Sequence, residues 1–148
     1  MPQAKSLALN RRASYDYEFL DTFEGGLELT GPEVKSAKLG RIQLAGSFLQ
    51  VRRGELWLKN AQIAKYAPAG PQPHYLVDQD RKVLIHRKEI NRLMGKTQTD
   101  GLTLVPISVY VAHGLVKLNF ALARGKKQYE KRDKIKKREA AREDREQM

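Results

Sequence analysis

His74, His86 and His113, with the carboxylates Glu24 and Glu33, are the side chains through which this chain could do acid–base or metal chemistry. Their spacing supports little of it. The three histidines stand far apart and lack the short spacings of metal ligands. Each reads as a surface or turn residue, although His86, beside Arg87 and Lys88, also suits an anion-binding face. Glu24 and Glu33 could approach each other across a turn at Gly25. Paired carboxylates can move protons, but a turn residue and a helix-capping residue are the plainer readings. No phosphate loop, dinucleotide-binding glycine motif or nucleophile elbow occurs. Cysteine is absent, which excludes a thiolate nucleophile, a cysteine zinc site and a disulfide framework. The residues argue for binding, with no catalytic, metal or cofactor site.

What remains to be positioned is charge. The 148 residues carry 28 Lys+Arg against 17 Asp+Glu, a formal net charge of +11. Residues 1–13 hold Lys5, Arg11 and Arg12 and no acid, for +3, and residues 124–148 contribute +5. The stretch between them is nearly balanced and rich in strand formers. This shift divides the chain into a basic N-terminal arm (1–13), one folded body (14–123) and a basic tail (124–148). The body is large enough for a single core. The tail has only Tyr129, Ile135 and Met148 as large apolar side chains. Alone it cannot offset its ordering entropy, so it is expected to be disordered. The apolar run Leu104 to Ala112 is interrupted by Pro106 and Ser108 and falls short of the roughly 20 residues of a spanning helix. Met1 to Arg12 shows no secretory signal. A cytoplasmic protein attracted to polyanions is expected, with no membrane partner.

Within the body the periodicity is mostly two. Tyr15, Tyr17 and Phe19 alternate with Asp16 and Glu18, Gly25-Gly26 reads as a turn, and Leu27 and Leu29 continue as a second strand. Thr30 and Glu33 have capping-box spacing around Pro32, which predicts a helix over about Pro32 to Leu39. A second hairpin turns at Arg53-Gly54. Residues 67–73 read as a loop. One strand covers Lys82 to Ile85, and a helix covers Arg87 to Met94 with Gly95 at its end. Leu102 to Ala112 and Leu115 to Ala123 are the longest alternations, joined at His113-Gly114. Six to eight strands with two or three short helices predict a mainly β fold, a small OB-like antiparallel barrel. Side chains fill such a barrel, leaving little room for a small-molecule substrate.

The tail is helix-ready. Glu130→Lys134 and Asp133→Lys137 are favourable i,i+4 pairs, and strong helix formers fill the segment beyond Lys131. It has no apolar stripe with which to dock on its own body. A polyanionic groove would supply the missing stabilisation by neutralising the cations, and Tyr129 could stack on an unpaired base. A merely solubilising tail is the other reading of the same composition.

Five strings match a known family. They are Asn10-Arg11-Arg12-Ala13, Phe23-Glu24-Gly25-Gly26-Leu27, the run Leu29 to Ser36 (L-T-G-P-E-V-K-S), Lys82-Val83-Leu84-Ile85-His86, and the run Leu122 to Arg132 (L-A-R-G-K-K-Q-Y-E-K-R). In this order and spacing the chain, from about Leu9 to Arg138, resembles the SmpB family, the SsrA-binding proteins of bacterial trans-translation. The resemblance implies an OB-like barrel that binds the tRNA-like domain of transfer-messenger RNA. It implies a tail that becomes helical in the empty mRNA channel of a stalled ribosome, near the small-subunit decoding centre. It also implies no catalysis and no required cofactor. On that basis Asn10, Arg11, Arg12, Glu24, Glu33, Lys35, Lys82, Leu84 and His86 are candidate RNA contacts. Leu84 reads equally as a core residue, and Glu33 as the cap of its helix. Lys126, Lys127, Tyr129, Lys131, Arg132, Ile135 and Lys136 are candidate ribosome contacts. Where members often carry Asp-Pro and a basic stretch, this chain has Asp78-Gln79-Asp80-Arg81-Lys82, shorter and without proline. A general OB-type binder of single-stranded RNA is the alternative function, and an RNA-processing enzyme the third class.

Overall fold

The two longest alternations build the platform on which the rest is laid. In the computed structural model, which describes residues 5–99 and 101–126, β8 (Thr103–Ala112) and β9 (Leu115–Gly125) form an antiparallel hairpin. His113 (φ 54°) and Gly114 (φ 76°) make the turn, and two consecutive positive φ values match the twist of the flanking strands. β2 (Tyr17–Leu27) pairs along nearly the whole of β9. β1 (Lys5–Leu9) pairs with the opposite side of β8. Residues 5–9, assigned above to the arm, are therefore a strand of the sheet.

The remaining strands close the sheet on itself. β4 (Phe48–Arg52) and β5 (Glu55–Lys59) form the second hairpin, β7 (Arg81–Leu84) joins β5 to β2, and the order is β1-β8-β4-β5-β7-β2-β9, with β9 returning to β8. Six of the seven strands thus form a ring. Between β4 and β8 it is sealed by the single pair Leu49 and Leu104, so it is not a regular barrel. β3 (Ile42–Gln43) and β6 (Gln62–Ile63) make a separate small ladder. The protein is mainly β, as the alternating patterns predict. Leu56, Leu58, Val83, Val109, Leu118 and Phe120 point inward and are almost wholly buried.

Three α-helices occur among the described residues. α1 (Ala13–Asp16) crosses the outer face from β1 to β2, and Ala13 packs there on Val105, Ala121 and Ala123. Small residues on both sides let the helix sit close. Tyr15 therefore belongs to a helix, and the strand expected from Tyr15 begins only at Tyr17. α2 (Gly31–Lys38) starts at a complete capping box: Glu33 N–H donates to Thr30 Oγ1 at 3.3 Å, and Thr30 N–H donates to Glu33 Oε1 at 3.0 Å. α3 (Arg87–Thr99) buries Ile90 and Leu93 in the core. It runs past Gly95, which is helical and not a terminator. Thr97 Oγ1 donates back to the Leu93 and Met94 carbonyls beyond it.

A larger correction concerns Gly25-Gly26. There is no turn here: β2 continues through both glycines. A Cβ on Gly25 would lie 2.7 Å from Val83 Cγ1 and 2.8 Å from Ile85 Cγ2, so the absent side chain is what lets β7 approach. Gly25→Ala is expected to cost about 1–3 kcal/mol, the usual range for overpacking. Urea unfolding followed by the fluorescence of Trp57, whose register partner Lys82 lies on β7, checks this. An unchanged midpoint would contradict the close approach.

Candidate nucleic-acid interface

Alternation along the strands that sends Leu118 and Phe120 inward sends Lys117 and Asn119 outward, and the register aligns outward positions from several strands. Leu9, Ser108, Asn119 and Glu24 form one transverse row over β1, β8, β9 and β2. Ser6, Tyr110, Lys117, Gly26 and Leu84 form the next, reaching β7. Three strand spacings separate Leu9 from Glu24, about 15 Å. This broad, gently twisted face ends at Asn10 on one side and at Leu84 and His86 on the other.

At the β7 end, Glu24, Gly25, Gly26, Leu84, Ile85, His86, Glu89 and Lys117 line an open groove of about 390 Å³. Three of the expected contacts, Glu24, Leu84 and His86, are brought together here. Leu84 is 50% exposed, so it is a surface side chain and not the core residue of its other reading. The Glu24 carboxylate accepts from Lys117 Nζ at 2.8 Å. Hydrogen bonds from Lys117 and Tyr110 hold the Glu24 carboxyl below its usual range, and burial together with Glu24 pushes the Tyr110 phenol upward. Glu24 is thus presented as an ionised acceptor. Gly26 keeps the floor of the groove low beside Leu84, where a Cβ would meet Leu84 Cβ at 3.6 Å.

At the β1 end, Asn10 N–H donates to the Ile107 carbonyl at 2.7 Å and its Nδ2 donates to the Pro106 carbonyl at 2.9 Å. Arg11 is exposed, and Arg12 extends over Tyr15 (5.4 Å to the ring centroid) and toward Asp16 at 3.7 Å. A second groove, about 460 Å³, includes Asn10, Arg12, Asp16 and Tyr17 in its lining.

The other candidates are placed apart from these two ends. Lys82, outward on β7, pairs with Glu55 at 3.2 Å. Lys35 is exposed on α2 with its ammonium over the Tyr66 ring at 5.7 Å. Glu33 is 2% exposed. Its Oε2 accepts from Arg81 Nε at 2.8 Å, from the Tyr75 hydroxyl at 3.2 Å and from Gln79 Nε2 at 3.3 Å. Burial pushes the Glu33 carboxyl up, but the Thr30 N–H and the Arg81 guanidinium outweigh it and hold the group below its ordinary value. Glu33 thus has a second task beyond capping: it ties α2 to the loop before β7. Glu24 and Glu33 are held by different cations, and the turn that would have joined them does not form. No group of three His, Asp or Glu side chains converges as a metal site among the described residues. No helix among them is long and apolar enough to cross a membrane.

Lys127, Tyr129, Lys131, Arg132, Ile135 and Lys136, with the expected disorder and conditional helix of the tail, lie outside the described residues. Lys126 lies within them, and its ammonium donates to the Ser14 carbonyl at 2.8 Å. Lys117, Tyr110 and Asn119 were missed as site residues by sequence reading. Their signal was the outward parity of β8 and β9, which marks a solvent face without saying which one is used.

Comparison with known proteins is consistent across sequence and fold. The family model for SmpB protein matches residues 7–148. The SsrA-binding protein of Frankia casuarinae is 49% identical over 137 residues, covering 93% of this chain and 86% of its own. That of Thermobifida fusca is 48% identical over 139 residues, covering 94% and 86%. A solved chain described as "tmRNA-SmpB: a journey to the center of the bacterial ribosome" superposes with a TM-score of 0.66 at 45% identity, covering 81% of this chain and 84% of that one.

Proposed function

The chain belongs to the SmpB family, and from that premise we propose that it is an RNA-binding adaptor that binds the tRNA-like domain of transfer-messenger RNA and delivers it to stalled ribosomes. The observation that carries this reading is the outward face joining Asn10 to the Glu24–Leu84–His86 groove. A face about 15 Å across suits a folded RNA surface better than one threaded strand. Asn10, Arg11 and Arg12 hold one end of the RNA by hydrogen bonding and charge. Glu24 accepts from a base amino group or a 2′-hydroxyl, and Leu84 packs on an exposed base or sugar. His86 lines the same groove, Lys35 and Lys82 lie at the periphery, and Glu33 supports the site from inside the fold. Lys117 orients Glu24.

The division of labour follows the charge. The body recognises the RNA, and the tail beyond Lys126 enters the ribosome's empty mRNA channel. No catalytic step and no cofactor is part of this function, which is carried out in the cytoplasm. The alternative, a general binder of single strands, is not favoured by the relatives' name.

Competition filter binding tests the proposal. Transfer-messenger RNA is expected to displace the isolated labelled tRNA-like domain far better than bulk tRNA does. For about five phosphate contacts, log K should fall against log salt with a slope of about −3.5 to −4.5. Equal competition by bulk tRNA or by a homopolymer would return the protein to the general single-strand class.

A further inference from the structure

β9 ends at Gly125, whose register partner is Tyr17, and one residue earlier Arg124 pairs with Glu18. Two hydrogen bonds then hold Lys126. Its backbone N–H donates to the Asp16 carbonyl at 2.9 Å, and its ammonium donates to the Ser14 carbonyl at 2.8 Å. The first continues the β2–β9 ladder by one step. The second is of another kind, because a side chain makes it and it reaches back to Ser14 inside α1. A four-residue helix has carbonyls without helical partners, and a cation is a suitable donor to them.

Gly125 makes this clamp necessary. A Cβ on Gly125 would meet nothing within 4 Å, so packing does not restrict the chain at that point. A glycine as the last strand residue before the tail would allow the tail to swivel. Lys126 removes that freedom. α1 is itself fixed by Ala13 on Val105, Ala121 and Ala123, and it follows Asn10, Arg11 and Arg12 directly. The tail is therefore rooted on the same short helix that extends the Asn10 end of the proposed RNA face.

We infer that Lys126 is a positioning residue: it aims the tail relative to the RNA-bound face and does not itself contact ribosomal phosphate. The consequence at the ribosome rests on the function proposed above; the clamp does not. The chain has no cysteine, so Gln50→Cys on β4 and Gln128→Cys beyond the clamp can carry the only spin labels in the full-length protein. The distance distribution between them is expected to be narrow with Lys126 and clearly broader with Lys126→Met. Loss of a hydrogen bond from a charged donor should reduce the clamped population by about tenfold or more. The same Lys126→Met protein, unlabelled, should bind the tRNA-like domain as the parent does and tag peptides on stalled ribosomes several-fold less.

An unchanged distance distribution overturns the inference even if tagging falls, because Lys126 would then act as a direct contact. A loss of affinity for the tRNA-like domain equal to the loss of tagging also overturns it. Failure of the parent protein to bind that domain defeats the proposed function, while the label distances still decide the clamp.

Discussion

Arg81→Met is expected to destabilise the body by about 3–5 kcal/mol, the range for removing one partner of a buried ion pair. Arg81 is 2% exposed. Its guanidinium donates to Glu33, to the Ala61 carbonyl at 2.6 Å, to the Val77 carbonyl at 2.8 Å and to the Tyr75 hydroxyl at 3.2 Å. Methionine fills similar volume but leaves a buried carboxylate and two carbonyls without that donor. Against a total stability of about 5–15 kcal/mol this is a large fraction. Urea unfolding at pH 7 measures it.

The pH dependence separates the mechanism from simple loss of packing. In the parent, Glu33 is held below its ordinary value, so its contribution to stability is present above the unfolded-state pKa and is lost as pH falls through the folded one. In Arg81→Met, burial acts without the guanidinium and raises Glu33. Acid then relieves the unpaired charge, so the gap between variant and parent should narrow on acidification. A gap of constant size from pH 7 to pH 4 would show that charge is not the cause.

The second large effect concerns the tail. Ending the chain after Lys126 keeps β9 and both hydrogen bonds to α1, and removes nine of the 11 basic residues of the segment 124–148, all but Arg124 and Lys126. Affinity for the tRNA-like domain should stay within about threefold of the parent, because the face described above is intact, while peptide tagging on stalled ribosomes should be abolished. The modest change is what loss of long-range attraction without a phosphate contact would produce. A collapse of affinity for the isolated domain would place the main RNA contacts in the tail.

Local chemistry was legible in the sequence, and contact across the chain was not. The capping box of Thr30 and Glu33 and the positive-φ turn at His113-Gly114 are set by neighbouring residues, and both were read correctly. Gly25-Gly26 was misread because a glycine in a turn and a glycine under a close-packed strand look alike until the partner is known. That partner, Val83, lies 58 positions away in the chain. Gly95 misled in the same manner: a terminator by type, it is carried through by the packing of Leu93 and the back-bonding of Thr97. Glu33 shows both limits at once. Its cap was visible three residues away, but its bond to Arg81 spans 48 residues. The family strings supplied Asn10, Glu24 and Leu84 as candidates. The register added Lys117 and Tyr110, the residues that hold the Glu24 carboxylate in place.

The lone Leu49–Leu104 seal between β4 and β8 has a mechanical consequence. The opposite arc, β8-β9-β2, is laced along almost its full length. A hoop stitched tightly on one side and hooked by one clasp on the other gives way at the clasp. Thermal breathing is expected to concentrate at that clasp and to leave the β8-β9-β2 face stiff.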